Sequence, residues 1–319
     1  MKCANIFIYH FIAIATVAAL STVSAPLPAD ERDAVRPEGM YPDQEDDGAH
    51  LIALTFDDGL MRDATPRILD ALKKRNLHAT FFVSGHTIRR TTWQLLHRMV
   101  DEGHEIANHS WTHDQHMALR ERSAVDHEKF LISEVALTQV RVDIALLSQN
   151  TEEFVELDRM VFRGFPEFPS RARQVAEAEG IYQRHAELMA QRGYPGGSHV
   201  RTLRWFRPPG GSPYLRDGWS AEQRHTFTQA MNKAEVQIAL WDQSSRDSIP
   251  GQKADAEKAA RRVAAAATKI VAEGGILLAH DRLSGRPLGV LLDIIATCKD
   301  RLVTLDVLYS HRTAVLPFF

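Results

Sequence analysis

The fold of this chain is decided by the stretch Leu51-Ile52-Ala53-Leu54-Thr55-Phe56-Asp57-Asp58-Gly59. Its first four residues form a short apolar run, which predicts a buried strand, and the two aspartates that follow fall on a predicted turn. The same order of apolar run and polar segment recurs along the chain, and helical patterns separate the runs. Strands that alternate with helices predict an α/β fold with parallel strands.

The predicted elements extend over most of the chain. Strands are predicted at about 51–54, 79–83, 105–107, 203–206, 236–241, 276–279 and 302–305, and helices at about 64–74, 93–102, 124–147, 170–191, 254–272 and 288–299. The segment 114–200 is too long for one crossover, so we interpret it as a helical hairpin packed on the barrel, with a substrate-contacting lid as the alternative. Phe162, Phe165 and Phe168 fall in the predicted turn of this hairpin.

Composition narrows the class of protein. The chain has 319 residues, of which 44% are hydrophobic, and this is enough for one core in a single domain of roughly 250 residues. It carries 38 basic and 41 acidic residues, and no basic run stands out. We therefore expect no nucleic-acid partner, and the near balance of charge favours a neutral or weakly charged substrate.

The N-terminal segment has the pattern of a secretory signal. Lys2 precedes the apolar run from Ile6 to Leu20, and the small-residue site Val23-Ser24-Ala25 follows. We expect residues 1–25 to be a signal peptide, with an uncleaved membrane anchor as the alternative. The mature protein is then expected to be secreted or periplasmic, without stable insertion in a membrane.

Two further features concern the protein after residue 25. Residues 26–49 are rich in proline and acidic residues and predict a flexible linker. Removal of Cys3 with the signal would leave Cys298 as the only cysteine, so the mature protein could form no internal disulfide. Cys298 lies among leucines at helical spacing, which predicts a small, buried apolar residue.

Four polar segments follow predicted strands and could share one site. They are Thr55-Phe56-Asp57-Asp58-Gly59, His109-Ser110-Trp111-Thr112-His113, Phe206-Arg207-Pro208-Pro209 and Leu278-Ala279-His280-Asp281. Each alone has an ordinary interpretation, such as a turn or a pair of satisfied core histidines. Ligands and catalytic groups, however, collect at the carboxyl ends of parallel strands. One carboxylate with two imidazoles would make a zinc site with an open position, which indicates a metal hydrolase.

These motifs resemble those of the polysaccharide deacetylase family, which has the NodB homology domain and is also called carbohydrate esterase family 4. The resemblance covers about residues 50–306, and its most specific parts are 55–59, 103–113 and 274–281. It implies a distorted (β/α) barrel in a catalytic domain at 50–319, with the helical insertion at about 114–200 between the second and third motifs. It also implies one divalent metal ion, usually Zn²⁺, with Co²⁺, Ni²⁺ or Mn²⁺ as alternatives.

The resemblance also implies roles for individual residues. Asp58, His109 and His113 would bind the metal, and Asp57 would be the general base. Arg207 would orient Asp57, while His280 would be the general acid. Asp247 would hydrogen-bond to His280 and tune it. The chemistry is consistent, because a three-ligand zinc site leaves room for a water whose pKa falls to about 7.

Two motifs depart from the family pattern. Where an aromatic residue usually follows the third motif this chain has Gly210-Gly211, although a glycine still offers the backbone N–H that helps to hold an oxyanion. Tyr214 could fill the missing aromatic volume. The tryptophan of the fourth motif is replaced by Ser248, so Phe162, Phe165 and Phe168 of the insertion are candidates to rebuild that wall of the acyl pocket. The predicted substrate-binding residues are Gly210, Leu278 and Tyr214.

The function implied is removal of acetyl groups from a glycan. N-deacetylation of a polysaccharide or oligosaccharide that contains N-acetylglucosamine is the leading hypothesis. One alternative is an O-acetyl esterase that acts on a glycan such as acetylxylan, since the same attack by water serves esters and amides. Another is a glycan-binding relative without turnover. The sequence leaves the glycan, the preferred metal and the oligomeric state open.

Overall fold

The computed structural model describes residues 50–119, 126–194, 196–215, 218–247 and 255–314. The predicted signal peptide (1–25), the predicted linker (26–49) and Ser248 lie outside these residues. No helix in the described ranges is both long enough and apolar enough to cross a membrane.

One parallel sheet organises the described residues. Its strands are β1 (Ile52–Gly59), β2 (Thr80–Val83), β3 (Glu105–Asn108), β4 (Trp205–Phe206), β5 (Gln237–Ile238), β6 (Gln243–Ser244) and β7 (Gly275–His280). They are arranged in the order β5-β4-β3-β2-β1-β7-β6, and every strand pair is parallel. The predicted α/β class with parallel strands is confirmed. Every residue of the central strand β1 is buried, as its apolar run predicts.

Helices connect the strands. They are α1 (Thr65–Lys73), α2 (Gln94–Asp101), α3 (His127–Leu147), α4 (Thr151–Phe162), α5 (Arg171–Gln191), α6 (Ala221–Lys233), α7 (Ala256–Glu273), α8 (Gly285–Ala296) and α9 (Leu305–Ala314). The insertion therefore holds the two predicted helices of the hairpin, α3 and α5, and an additional helix, α4, between them. The side chain of Asn150 accepts a hydrogen bond from the backbone N–H of Glu153, so it caps the start of the additional helix α4.

Two strand predictions also need correction. The predicted strand at 302–305 is reduced to one bridge between Leu302 and Ile52, because α9 already begins at Leu305. Strand β1 in turn is longer than predicted, so Asp57 and Asp58 lie in its last residues and not on a turn after it. The register with β2 is irregular there, and Asp58 has a φ of 72°. Such irregularities re-aim side chains at the end of a strand.

The insertion forms part of the core. Fifteen of the 21 residues of α3 are buried, and a helix buried on most sides belongs inside a protein. The guanidinium of Arg141 on α3 lies 4.5 Å from the ring centres of Trp111 and Phe162, and it pairs with Asp158 of α4 at 2.8 Å. Helix α3 thus joins the second motif to the rest of the insertion. Cys298 is a free, buried cysteine.

Candidate metal and catalytic site

The three predicted metal ligands lie together at the ends of β1 and β3. Oδ1 of Asp58 is 2.9 Å from Nε2 of His113 and 3.5 Å from Nε2 of His109. Burial lowers the pKa of His109 to about 3, and it also lowers the pKa of His113. Both imidazoles are therefore neutral at pH 7 and can offer a lone pair. Two neutral imidazoles and one carboxylate fit a divalent ion such as Zn²⁺.

Local hydrogen bonds hold the second motif in this geometry. Nδ1 of His109 lies 2.7 Å from the carbonyl oxygen of Arg207, which leaves Nε2 to face Asp58. Ser110 Oγ accepts the backbone N–H of His113 at 3.0 Å. Ser110 and His113 both have positive φ values, of 67° and 59°. A left-handed backbone is costly for such residues and often accompanies functional sites.

A buried glutamate that sequence reasoning missed supports the same loop. Glu134 of α3 accepts the backbone N–H of Thr112 at 2.9 Å and its hydroxyl at 3.0 Å. Gln174 of α5 donates to the same carboxylate at 2.9 Å. The spacing of 22 residues between Thr112 and Glu134 gave no local signal of this contact.

Asp57 and Arg207 form a buried pair beside the metal ligands. Nη1 of Arg207 donates to Oδ1 of Asp57 at 2.7 Å and to the hydroxyl of Thr55 at 2.8 Å. The remaining guanidinium nitrogens donate to the carbonyl oxygens of Ala239 and Leu240, each at 2.9 Å. Oδ2 of Asp57 lies 3.8 Å from Nε2 of His109. One oxygen of Asp57 is thus fixed by Arg207, while the other is on the side of the predicted metal ligands.

His280 and Asp247 form a second pair at the end of β7. Nδ1 of His280 lies 2.8 Å from Oδ1 of Asp247, and the backbone N–H of His280 donates to Oδ2 at 3.1 Å. Burial acts to lower the pKa of His280, but the hydrogen bond and negative charge of Asp247 outweigh it and raise the pKa. The pair favours a protonated imidazole, which is the form that a general acid requires.

Arg282 is a further residue that sequence reasoning missed. Its Nη2 donates to Oδ2 of Asp58, so Oδ1 is the oxygen that faces both histidines. Arg282 follows the fourth polar segment by one residue. Its side chain is 44% exposed, as is ordinary for an arginine, and nothing in the sequence pattern indicated a position beside a metal ligand.

The predicted substrate-binding residues have different environments. Gly210 has a φ of 62° in the turn after the third motif. Leu278 is buried within β7. The hydroxyl of Tyr214 lies 2.7 Å from the hydroxyl of Thr228 on α6, and its ring packs against Phe227. Their contact with a substrate stays a prediction.

The phenylalanines of the insertion separate into two groups. Phe162 and Phe165 are buried, and their ring centres lie 5.2 and 5.7 Å from that of Trp111 in the second motif. Phe168 is 61% exposed, and its ring centre is 4.8 Å from that of His86. The first two therefore support the loop of the second motif, and only Phe168 presents an open aromatic surface.

Comparisons with known proteins agree with these motifs. Residues 44–157 match the family model described as polysaccharide deacetylase. An uncharacterized 30.6 kDa protein of Geobacillus stearothermophilus is 41% identical over 107 residues, which are 31% of this chain and 40% of that protein. The peptidoglycan-N-acetylmuramic acid deacetylase PdaA of Bacillus subtilis is 52% identical over 62 residues, or 19% of this chain and 23% of that protein.

Two further similarities concern a third relative and a solved structure. A chitooligosaccharide deacetylase of Sinorhizobium fredii is 48% identical over 66 residues, or 21% of this chain and 30% of that protein. The chain thus matches less than half the length of each of these three relatives. The Xyl-CE4 domain of a multidomain xylanase from the hindgut metagenome of Trinervitermes trinervoides has a TM-score of 0.51 and 19% identity, covering 84% of this chain and 93% of that one. This likeness confirms the predicted distorted (β/α) barrel.

Proposed function

We propose that this chain, whose residues 44–157 match the polysaccharide deacetylase family model, removes acetyl groups from an acetylated glycan. The observation that carries the proposal is the arrangement of three polar groups of residues at one edge of the sheet. They are the Asp58, His109 and His113 cluster, the Asp57–Arg207 pair and the His280–Asp247 pair.

The cluster of Asp58, His109 and His113 would hold the metal, for which Zn²⁺ is the leading candidate. A divalent ion there supplies Lewis acidity, which polarises an acetyl carbonyl and makes water more acidic. Its donor set of two imidazoles and one carboxylate is typical of catalytic sites that keep an open position. Arg282 neutralises the outer oxygen of Asp58 and so keeps that carboxylate in one orientation.

Asp57 acts as the base in this proposal. Arg207 holds Oδ1, so Oδ2 accepts the proton of the attacking water. The four polar contacts of the Arg207 guanidinium fix its plane, and this rigidity keeps Asp57 in place without reorganisation during the reaction.

His280 acts as the acid. Asp247 binds its Nδ1, so Nε2 carries the proton that is given to the departing amine or alcohol. The backbone N–H of Gly210 is the candidate donor to the negatively charged oxygen that forms on the acetyl carbon.

The substrate class is proposed from the relatives. Two of them are named as deacetylases of peptidoglycan and of chitooligosaccharide, both of which contain N-acetylated amino sugars. We therefore propose N-deacetylation of such a glycan and, from the signal-like N-terminus, action outside the cytoplasm. Deacetylation of an ester-linked glycan such as acetylxylan is the alternative.

Acetate release tests the proposal. Purified protein is incubated with peptidoglycan, chitooligosaccharides and acetylxylan, with and without a chelator, and Zn²⁺ is then added back. We expect release from an N-acetylated glycan that stops with the chelator and returns with Zn²⁺. His113→Ala should be inactive, while His116→Ala, a change at an exposed histidine, should behave like the parent. Release that neither the chelator nor His113→Ala reduces would overturn the metal-dependent assignment.

A further inference from the structure

A second cluster of one carboxylate and two imidazoles lies in the insertion, and it shares no residue with the groups assigned to catalysis. It consists of Asp143 on α3, His185 on α5 and His199 in the segment that leads to β4, and we call it the insertion cluster. We propose that the insertion cluster binds a second divalent cation of the class that imidazole ligands prefer, with Zn²⁺ as the expected ion.

The three candidate ligand atoms lie close enough together to share one ion. Oδ2 of Asp143 lies 2.6 Å from Nδ1 of His199 and 3.2 Å from Nε2 of His185. One ligand atom from each residue lies within 4.8 Å of the other two. Zinc takes nitrogen and carboxylate oxygen ligands at about 2.0–2.2 Å in tetrahedral geometry, so its ligand atoms lie roughly 3.3 Å apart. The 3.2 Å between Asp143 and His185 matches this spacing, whereas the 2.6 Å contact between Asp143 and His199 is a hydrogen bond that a bound ion would replace. The catalytic cluster shows the same pattern, with 2.9 and 3.5 Å between Asp58 and its two histidines.

The orientation of the His185 ring is a second, independent indication of a bound ion. Its Nε2 is buried and has no hydrogen-bond partner among the described residues, although Oδ2 of Asp143 is only 3.2 Å away. The nitrogen therefore approaches the carboxylate without pointing at it. This is the relation between two ligands of one ion, because each directs its lone pair at the ion and not at its neighbour.

The carboxylate is also oriented as a ligand would be. Oδ1 of Asp143 accepts the backbone N–H of Val200 at 2.9 Å and the side-chain amide of Gln139 at 3.3 Å. These bonds leave Oδ2 to face the two imidazoles. Hydrogen bonds of this kind fix the orientation of the side chains that bind a metal and are a regular part of protein metal sites.

Burial and charge support the same conclusion. The side chain of Asp143 is fully buried, and its described ion-pair partners are the two histidines. A buried carboxylate needs a compensating positive charge, and a divalent cation held by Asp143 and the two histidines would supply it. The His199 side chain is 31% exposed, so an ion can enter from solvent and a water molecule can complete its coordination.

The site would act as a structural clamp. Gln139, one turn before Asp143 on α3, donates to the carbonyl of Arg201 at 2.9 Å and accepts the N–H of Leu203 at 2.8 Å. Together with the ion, these bonds would fix residues 199–203 on α3. Strand β4 and Arg207 follow directly, so the clamp would set the path of the chain into the catalytic site without contacting substrate.

Metal counting in four forms of the full-length protein tests the proposal. The forms are the parent, His113→Ala, His199→Ala and the variant with both changes. Each is stripped with a chelator, reloaded with Zn²⁺ under a weak competing chelator, and analysed for bound zinc per chain. We expect two, one, one and zero ions. Zn²⁺ should also raise the melting temperature of His113→Ala but not that of the double variant.

Asp143→Asn provides a second variant, because asparagine keeps an acceptor for the N–H of Val200 but removes the charge. It should also lose one ion, while His116→Ala should lose none. Circular dichroism establishes that each variant is folded. If folded His199→Ala and Asp143→Asn bind as much zinc as the parent, the insertion cluster is a hydrogen-bonded triad and the proposal is wrong. A failure of the catalytic assignment would instead appear as unchanged zinc content in His113→Ala.

Discussion

Glu134 accepts the backbone N–H of Thr112 at 2.9 Å, and through this bond a helix of the insertion holds the loop between two predicted metal ligands. Its other oxygen accepts the Thr112 hydroxyl and the amide of Gln174. Burial raises the pKa of Glu134, whereas these hydrogen bonds act to lower it. The insertion is therefore a support for the loop that carries His109 and His113.

We expect Glu134→Ala to weaken zinc binding by about 10–100-fold, the usual cost of losing an outer partner of a metal site. The backbone N–H of Thr112 would also lose its buried acceptor, which costs roughly 1–3 kcal/mol of stability. Competition titration with a chromogenic chelator measures the affinity. Glu134→Gln keeps an acceptor for Thr112 and should lose less, so equal affinities of the alanine variant and the parent would contradict this role.

Glu134 also illustrates what the sequence can and cannot predict. The proximity of the four polar motifs could be expected from the sequence, because each lies at the carboxyl end of a strand and parallel strands bring these ends to one edge of the sheet. Glu134 is one of several polar residues of α3, and the sequence pattern gives no reason to assign it a partner 22 residues away. Helix α4 was missed for a related reason, since its start depends on the cap at Asn150 and its burial on contacts with α3.

Asp57→Asn should leave the metal site intact and remove most activity. The amide keeps an acceptor for Arg207 but cannot take a proton, and general-base catalysis typically contributes about a hundredfold to ten-thousandfold in rate. Acetate-release kinetics and zinc content are measured on the same preparation. A parent-like rate would exclude Asp57 as the base, and loss of zinc would indicate that it serves as a ligand.

Asp247→Asn should change the pH dependence of the reaction. Asp247 raises the pKa of His280, and the acid must be protonated to act, so activity falls as the pH rises past that pKa. Without the negative charge the pKa falls, and the alkaline limb of kcat/KM should move to lower pH. Asp101→Asn, at an exposed site, is the control. An unchanged alkaline limb in Asp247→Asn would separate that limb from His280.

A last prediction concerns Asp281, which follows the predicted acid His280. Its side chain is fully buried, and burial raises its pKa from 3.8 to about 7, although a hydrogen bond from Thr65 opposes the shift. Its Oδ1 has no hydrogen-bond partner among the described residues. The folded protein therefore keeps Asp281 protonated up to about pH 7. In the unfolded chain the same carboxyl loses its proton near pH 3.8.

The sign of the stability change follows from this proton. Because the folded-state pKa is the higher one, the contribution of Asp281 is complete below about pH 3.8 and is lost as the pH rises through about 7. This difference between the unfolded-state and folded-state pKa corresponds to at most roughly 4 kcal/mol of the free energy of unfolding. Asp281→Asn is neutral at every pH, so it should remove this decline between pH 4 and 8, whereas Asp293→Asn, at an exposed site, should retain it. Denaturant unfolding at several pH values measures the difference. If the two variants decline in parallel, Asp281 is ionised in the folded protein across this range, and the pH dependence belongs to other groups.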